Sequence, residues 1–107
     1  MNISALSDDE LNRAMIWINP PSTGIFNDCC NSGIWADTKY GYAEHWDYLA
    51  GWSLTGPMMI EQSIDIDKSF TDGCHDANSQ HGHRSTNINP LRAICECRLM
   101  IYLESKK

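Results

Sequence analysis

Leu11, Ala14, Met15 and Ile18 recur at i, i+3, i+4 and i+7, the spacing of an amphipathic helix. The polar residues around them say where it starts. Ser7 suits an N-cap and Glu10 follows three residues later, so the pair predicts a capping box. Leu6 and Leu11 occupy the two positions of a hydrophobic staple. Asp8 and Asp9 fall in the first turn, where negative charge meets the helix dipole favourably. Pro20 and Pro21 end the pattern. A first helix is therefore expected over about 8–18.

A second strong pattern closes the chain. In "NINPLRAICECRLMIYLESKK", Asn89 can cap and Pro90 fits the first helical position. Leu91, Ile94, Cys95, Leu99 and Tyr102 form one stripe, widened by Ala93, Cys97, Met100 and Ile101. This predicts a long helix over about 90–104, with Lys106 and Lys107 at its negative end.

Between the helices the pattern shortens. "SIDIDK" alternates strictly, with Ile64 and Ile66 on one face and Asp65 and Asp67 on the other, which predicts a half-exposed strand. A short helix should lead into it with Pro57 in its first turn. Residues 22–51 are punctuated by Gly, Asn, Asp and Ser, and one or two strands are expected there, around Tyr40 to His45. About eighteen polar residues, Thr71 to Ile88, read as a loop. The fold class expected is α+β: one small domain with two longer helices packed on a small sheet. Its core should comprise Leu11, Met15, Ile18, Ile60, Ile64, Ile66, Leu91, Ile94, Cys95, Leu99 and Tyr102.

Length adds that 107 residues make one domain. Charge adds more. Eight Lys and Arg against fourteen Asp and Glu leave −6, which disfavours direct binding to a phosphate backbone. The imbalance is concentrated: 27–76 carries nine acids and two lysines, whereas 84–107 carries five bases and two acids. An acidic middle could meet a basic partner; the alternative is a solvated face. No run approaches the ~20 apolar residues of a membrane span, and the first residues lack the basic start and apolar centre of a leader. The expected setting is the cytosol, with no membrane partner. Five cysteines, an odd number, are expected to be reduced thiols.

The candidate chemistry centres on "CHDANSQHGH". Cys74, His75, His81 and His83 are four potential zinc ligands. Their spacing lacks a paired C-x-x-C unit, adjacent Cys74 and His75 would rarely both reach one ion, and the alternative is a solvated polar loop. Cys95 and Cys97 lie ~200° apart on a helix, so their sulfurs should face opposite ways, as buried small apolar groups. Cys29 and Cys30 are adjacent and read as two free thiols. A catalytic pair of Cys74 or Cys29 with His45 or a loop histidine has no activating context. No phosphate-binding glycine pattern occurs. Trp35, Tyr40, Tyr42, Trp46, Tyr48 and Trp52 gather near Asp37, Glu44 and Asp47. Two or three of these aromatics should fill the core, with one or two exposed as interface anchors.

Two stretches carry a resemblance. "GWSLTGPMMIEQSIDID" joins a Trp, a Gly-Pro pair and an apolar run ending in Glu to an alternating strand. "NPLRAICECRLMIYLES" is a terminal helix opened by Pro-Leu. With the "LSDDELNRAM" helix they cover about half the chain, and the set resembles small phage and prophage proteins of unknown function, of the nin-region X type and the phage ABA sandwich domain. Phe70 stands where that pattern has a tryptophan after the strand. The resemblance implies a phage-encoded α/β sandwich and carries over no catalytic residue. It leads to the function expected: a non-enzymatic accessory protein in the host cytoplasm. That protein would bind a nucleic-acid-handling host protein as an inhibitor of antiviral defence, of anti-CRISPR or anti-restriction type. Asp37, Glu44, Trp46 and Asp47 are the expected contacts. A zinc protein using the 74–83 segment and a homo-oligomeric structural protein are the alternatives; no other cofactor is expected.

Overall fold

A computed structural model describes residues 2–19, 26–29, 33–37, 43–69, 73–80 and 82–106; of 26–29, 33, 37 and 43 it describes the backbone alone. The fold is α+β. After a short 3-10 turn come α1 (Asp8–Ile18), β1 (Phe26–Cys29), β2 (Gly33–Asp37), β3 (Ala43–His45), α2 (Trp52–Glu61), β4 (Ile64–Lys68), β5 (His75–Ser79), β6 (Arg84–Asn87) and α3 (Pro90–Ser105). The strands form two antiparallel three-stranded sheets, β1-β2-β3 and β4-β5-β6.

Local chemistry sets α1 as expected. The Ser7 side chain accepts from the Glu10 N–H, and the Glu10 carboxylate accepts from the Ser7 N–H. The Ser7 N–H, with the Ser7 hydroxyl beside it, holds the Glu10 carboxyl below its ordinary pKa. Asn89 caps α3, its side chain accepting from the Leu91 N–H, with Pro90 opening the helix.

α3 is the axis of the fold. Every residue from Leu91 to Cys97 is buried, because sheet β4-β5-β6 packs against it and so do α1 and α2. The two cysteines report both surroundings: the Cys95 thiol meets the Tyr48 carbonyl at 3.9 Å, and the Cys97 thiol meets the His83 carbonyl at 3.7 Å. They face apart, as their helical spacing requires.

Four expectations need correction. Thr71 to Ile88 is not one loop: it contains β5 and β6, paired Ala77 to Ser85 and Asp76 to Thr86. The inward side chains there are Ala77 and Ser85, both buried. Their small size lets α3 lie close, and it also erases the apolar alternation that marks a strand. Second, α2 begins at Trp52, so Pro57 lies inside it rather than in its first turn. Third, residues 26–45 supply three strands, which form a second sheet. Fourth, Ile60 is 77% exposed and outside the core. Leu11, Met15, Ile64, Leu91, Ile94, Cys95 and Leu99 are buried, while Ile18, Ile66 and Tyr102 are partly so.

Candidate functional site

The segment 46–48 is tied down from three sides. The Asn12 side chain donates to the Trp46 carbonyl and accepts from the Tyr48 N–H. The Tyr48 hydroxyl donates to the Asn19 carbonyl, and its own carbonyl accepts from Thr55. Burial raises the Tyr48 phenol above its ordinary value, opposed by the nearby Trp46 side chain. Asp47 accepts from the Leu49 N–H in a local turn, and Trp46 packs against the core. Two of the four expected contact residues are therefore structural anchors. Glu44 is exposed on β3; Asp37 ends β2, with its side chain outside the described residues.

Three of the expected zinc ligands are divided by the β5–β6 hairpin. Cys74 and His75 stand at one end of β5, where they line a cleft of about 200 Å³ with Lys68, Ser69 and Gly73. His83 stands at the other end, its carbonyl accepting from the Ser79 N–H and its Nδ1 lying 3.2 Å from Ser79 Oγ. Ser79 is four residues beyond His75, roughly 13 Å along an extended strand. His81 lies outside the described residues. Among the described residues, no group of three or more His, Cys, Asp and Glu is placed to hold a metal.

Thiol chemistry narrows in the same way. Burial pushes the Cys95 thiol up to about 12 and the Cys97 thiol up to about 11, which leaves both as packing groups. Cys74 is half-buried at the cleft.

The Ser79–His83 contact is a nucleophile beside an imidazole. However, Ser79 Oγ already accepts from the His83 N–H at 3.0 Å, which fixes it as a turn-closing group.

Two surfaces remain with no role in the core. One is the face of sheet β4-β5-β6 turned away from α3. Ile64, Ala77 and Ser85 point inward, so Asp65, Asn78 and Arg84 form one outward row, and Asp67, Asp76 and Thr86 the next. Arg84 donates to Asn78 at 2.7 Å and Thr86 donates to Asp76. Asp67 and Asp76 are direct cross-strand neighbours. Like charges in that position are destabilising. The face sets three carboxylates against one guanidinium.

The other surface is the outward side of α2. Trp52, Ser53, Pro57, Ile60 and Glu61 are exposed and Gly56 is half-exposed, so a single charge stands on a side that normally carries several. On α1 the exposed Trp17 instead shares its face with the Arg13–Asp9 ion pair.

No protein-family model matches the chain, and no curated protein is significantly similar to it. Among the described residues no helix is long and apolar enough to cross a membrane.

The sequence reading missed Asp76 as a member of an acidic face because it lay in a presumed loop. The signal that could have found it is alternation of a polar kind: His75, Ala77 and Ser79 on one side, Asp76 and Asn78 on the other.

Proposed function

We propose that this chain is a non-enzymatic binding protein that docks a basic, nucleic-acid-handling host protein through an acidic surface. In the form that the sequence resemblance implies, it is a phage-encoded inhibitor of host antiviral defence. The acidic outward face of sheet β4-β5-β6 is the observation that carries this reading. Asp67 and Asp76 oppose each other there at a cost to the sheet, and neither serves the core. This face takes the place of the 37–47 cluster expected from the sequence, leaving Glu44 as a contact from that set.

A carboxylate face competes with nucleic acid for a basic groove by long-range attraction, which salt screens beyond about 10 Å at 0.1 M. The test is a pull-down of host proteins with the untagged chain at low and high salt, read by mass spectrometry. Recovery of a nucleic-acid-handling complex at low salt and its loss at high salt supports the reading. Recovery that salt leaves unchanged contradicts the electrostatic mechanism.

A further inference from the structure

The outward side of α2 fits a different partner, and its fit goes beyond the docking reading above. Trp52, Gly56 and Ile60 are four residues apart and make one ridge; Ser53, Pro57 and Glu61 make the next. Trp52 is 49% exposed and Ile60 is 77% exposed. Gly56 eases the helical turn before Pro57, and it leaves a hollow between the two large side chains. A Cβ built at Gly56 would meet nothing within 4 Å. The side is thus a bump, a hollow and a bump, nearly symmetric about 56–57.

Its charges are asymmetric along the helix. The N-terminus has Gly51 as N-cap, no side-chain cap and no acid in its first turn. Among the described residues no side chain caps this end, and its partial positive charge lacks the carboxylate that stabilises such an end. Glu61 occupies the last position, where its charge opposes its own helix dipole and lies near the Arg98 guanidinium of α3.

We infer that this side of α2 pairs with the α2 of a second copy of the chain, antiparallel about a two-fold axis over Gly56 and Pro57. Antiparallel pairing sets each Ile60 against the second copy's Trp52 and Ser53. It seats each Gly56 hollow opposite the second copy's Pro57. It also brings each Glu61 to the second copy's uncapped first turn, which gains the carboxylate that it lacks. A two-fold contact of this kind is self-complementary and closed, and so it stops at a dimer. Ten residues of helix span about 15 Å, which supplies less than the ~800 Å² per partner of a stable complex. The dimer is therefore weak and dissociates on dilution.

Sedimentation velocity of the full chain over a wide concentration range tests this. The wild-type weight-average mass should rise from 12.1 kDa toward twice that value as concentration increases. Ile60→Asp, at an exposed position that the fold does not use, should weaken association at least tenfold with an unchanged circular dichroism spectrum. Ile60→Ser should act in the same direction. Glu61→Gln should weaken association several-fold while leaving the circular dichroism spectrum unchanged. A wild-type chain that remains at 12.1 kDa throughout overturns the inference. So does association that Ile60→Asp leaves intact. The acidic-face variants Asp65→Asn and Asp67→Asn should leave dimerisation unaffected, which separates this surface from the docking face.

Discussion

Asn12, buried on α1, pairs with the backbone of Tyr48 thirty-six residues later: its Oδ1 accepts from the Tyr48 N–H at 2.8 Å. Its Nδ2 donates to the Trp46 carbonyl at 3.1 Å. One amide side chain thus satisfies a donor and an acceptor that would otherwise be buried without partners. Asn12→Ala removes both bonds, and each orphaned buried group costs about 1–3 kcal/mol. The expected loss is roughly 2–4 kcal/mol, seen as a lower urea midpoint with an unchanged slope. Asn12→Asp keeps the acceptor but sets a carboxylate oxygen against the Trp46 carbonyl, so it should also destabilise the protein.

Arg92 and Glu96 form the second tie between distant parts of the chain. Arg92 donates to Asp8 and to the Leu6 carbonyl, both at 2.6 Å, and its Nε lies 3.4 Å from Glu96. Glu96 is 2% exposed and accepts from Ser85 on β6. Removing one partner strands a buried charge, so Arg92→Leu should cost about 3–5 kcal/mol. Arg92→Leu with Glu96→Leu should recover a large part of that loss. Asp8 is mostly solvent-exposed, and Asp8→Asn should change stability by less than about 1 kcal/mol. Chemical denaturation of the four proteins gives the comparison.

Much of this frame was legible in the sequence because it is written in local chemistry. Ser7 and Glu10, then Asn89 and Pro90, announce their helices within four residues. Alternation in "SIDIDK" likewise marks β4. β5 and β6 escaped because their inward residues are Ala77 and Ser85, whose burial follows from the proximity of α3 and not from their own hydrophobicity. The start of α2 escaped because Gly51 offers no capping side chain, and Pro57 drew the expected first turn too far along the chain. Ile60 was placed in the core on hydrophobicity alone, whereas the helix turns it to solvent. The acidic face could not be assembled until β5 was recognised as a strand.

Ser63 joins α2 to β4 with φ +54°, in the left-handed region that favours glycine and asparagine. The side chain is exposed and carries no core contact. Ser63→Gly should stabilise the protein by about 0.5–1 kcal/mol, the steric relief exceeding the added chain entropy. Ser63→Val should destabilise it. Thermal melts of both variants check the sign.

Alkaline pH should loosen the α3 packing. The Cys95 and Cys97 thiols are raised by burial from 9.0 to about 12 and about 11. The unfolded chain releases these protons first, so the stability they contribute is full below pH 9 and is lost as pH rises through 11 to 12. Within that window each thiol contributes a slope of up to roughly 1.4 kcal/mol per pH unit. Cys97→Ala should remove its share of the slope between pH 9 and 11, as read from denaturation midpoints under reducing conditions.

Asp67→Asn should move stability and binding in opposite directions. Neutralising Asp67 relieves its repulsion with Asp76, so the sheet should gain a few tenths of a kcal/mol. The same change removes a charge from the docking face, so capture of the basic host partner at low salt should fall several-fold. A variant that is more stable and binds more weakly is the result predicted. A variant that captures the partner as well as the wild-type chain does would contradict the acidic face as the working surface.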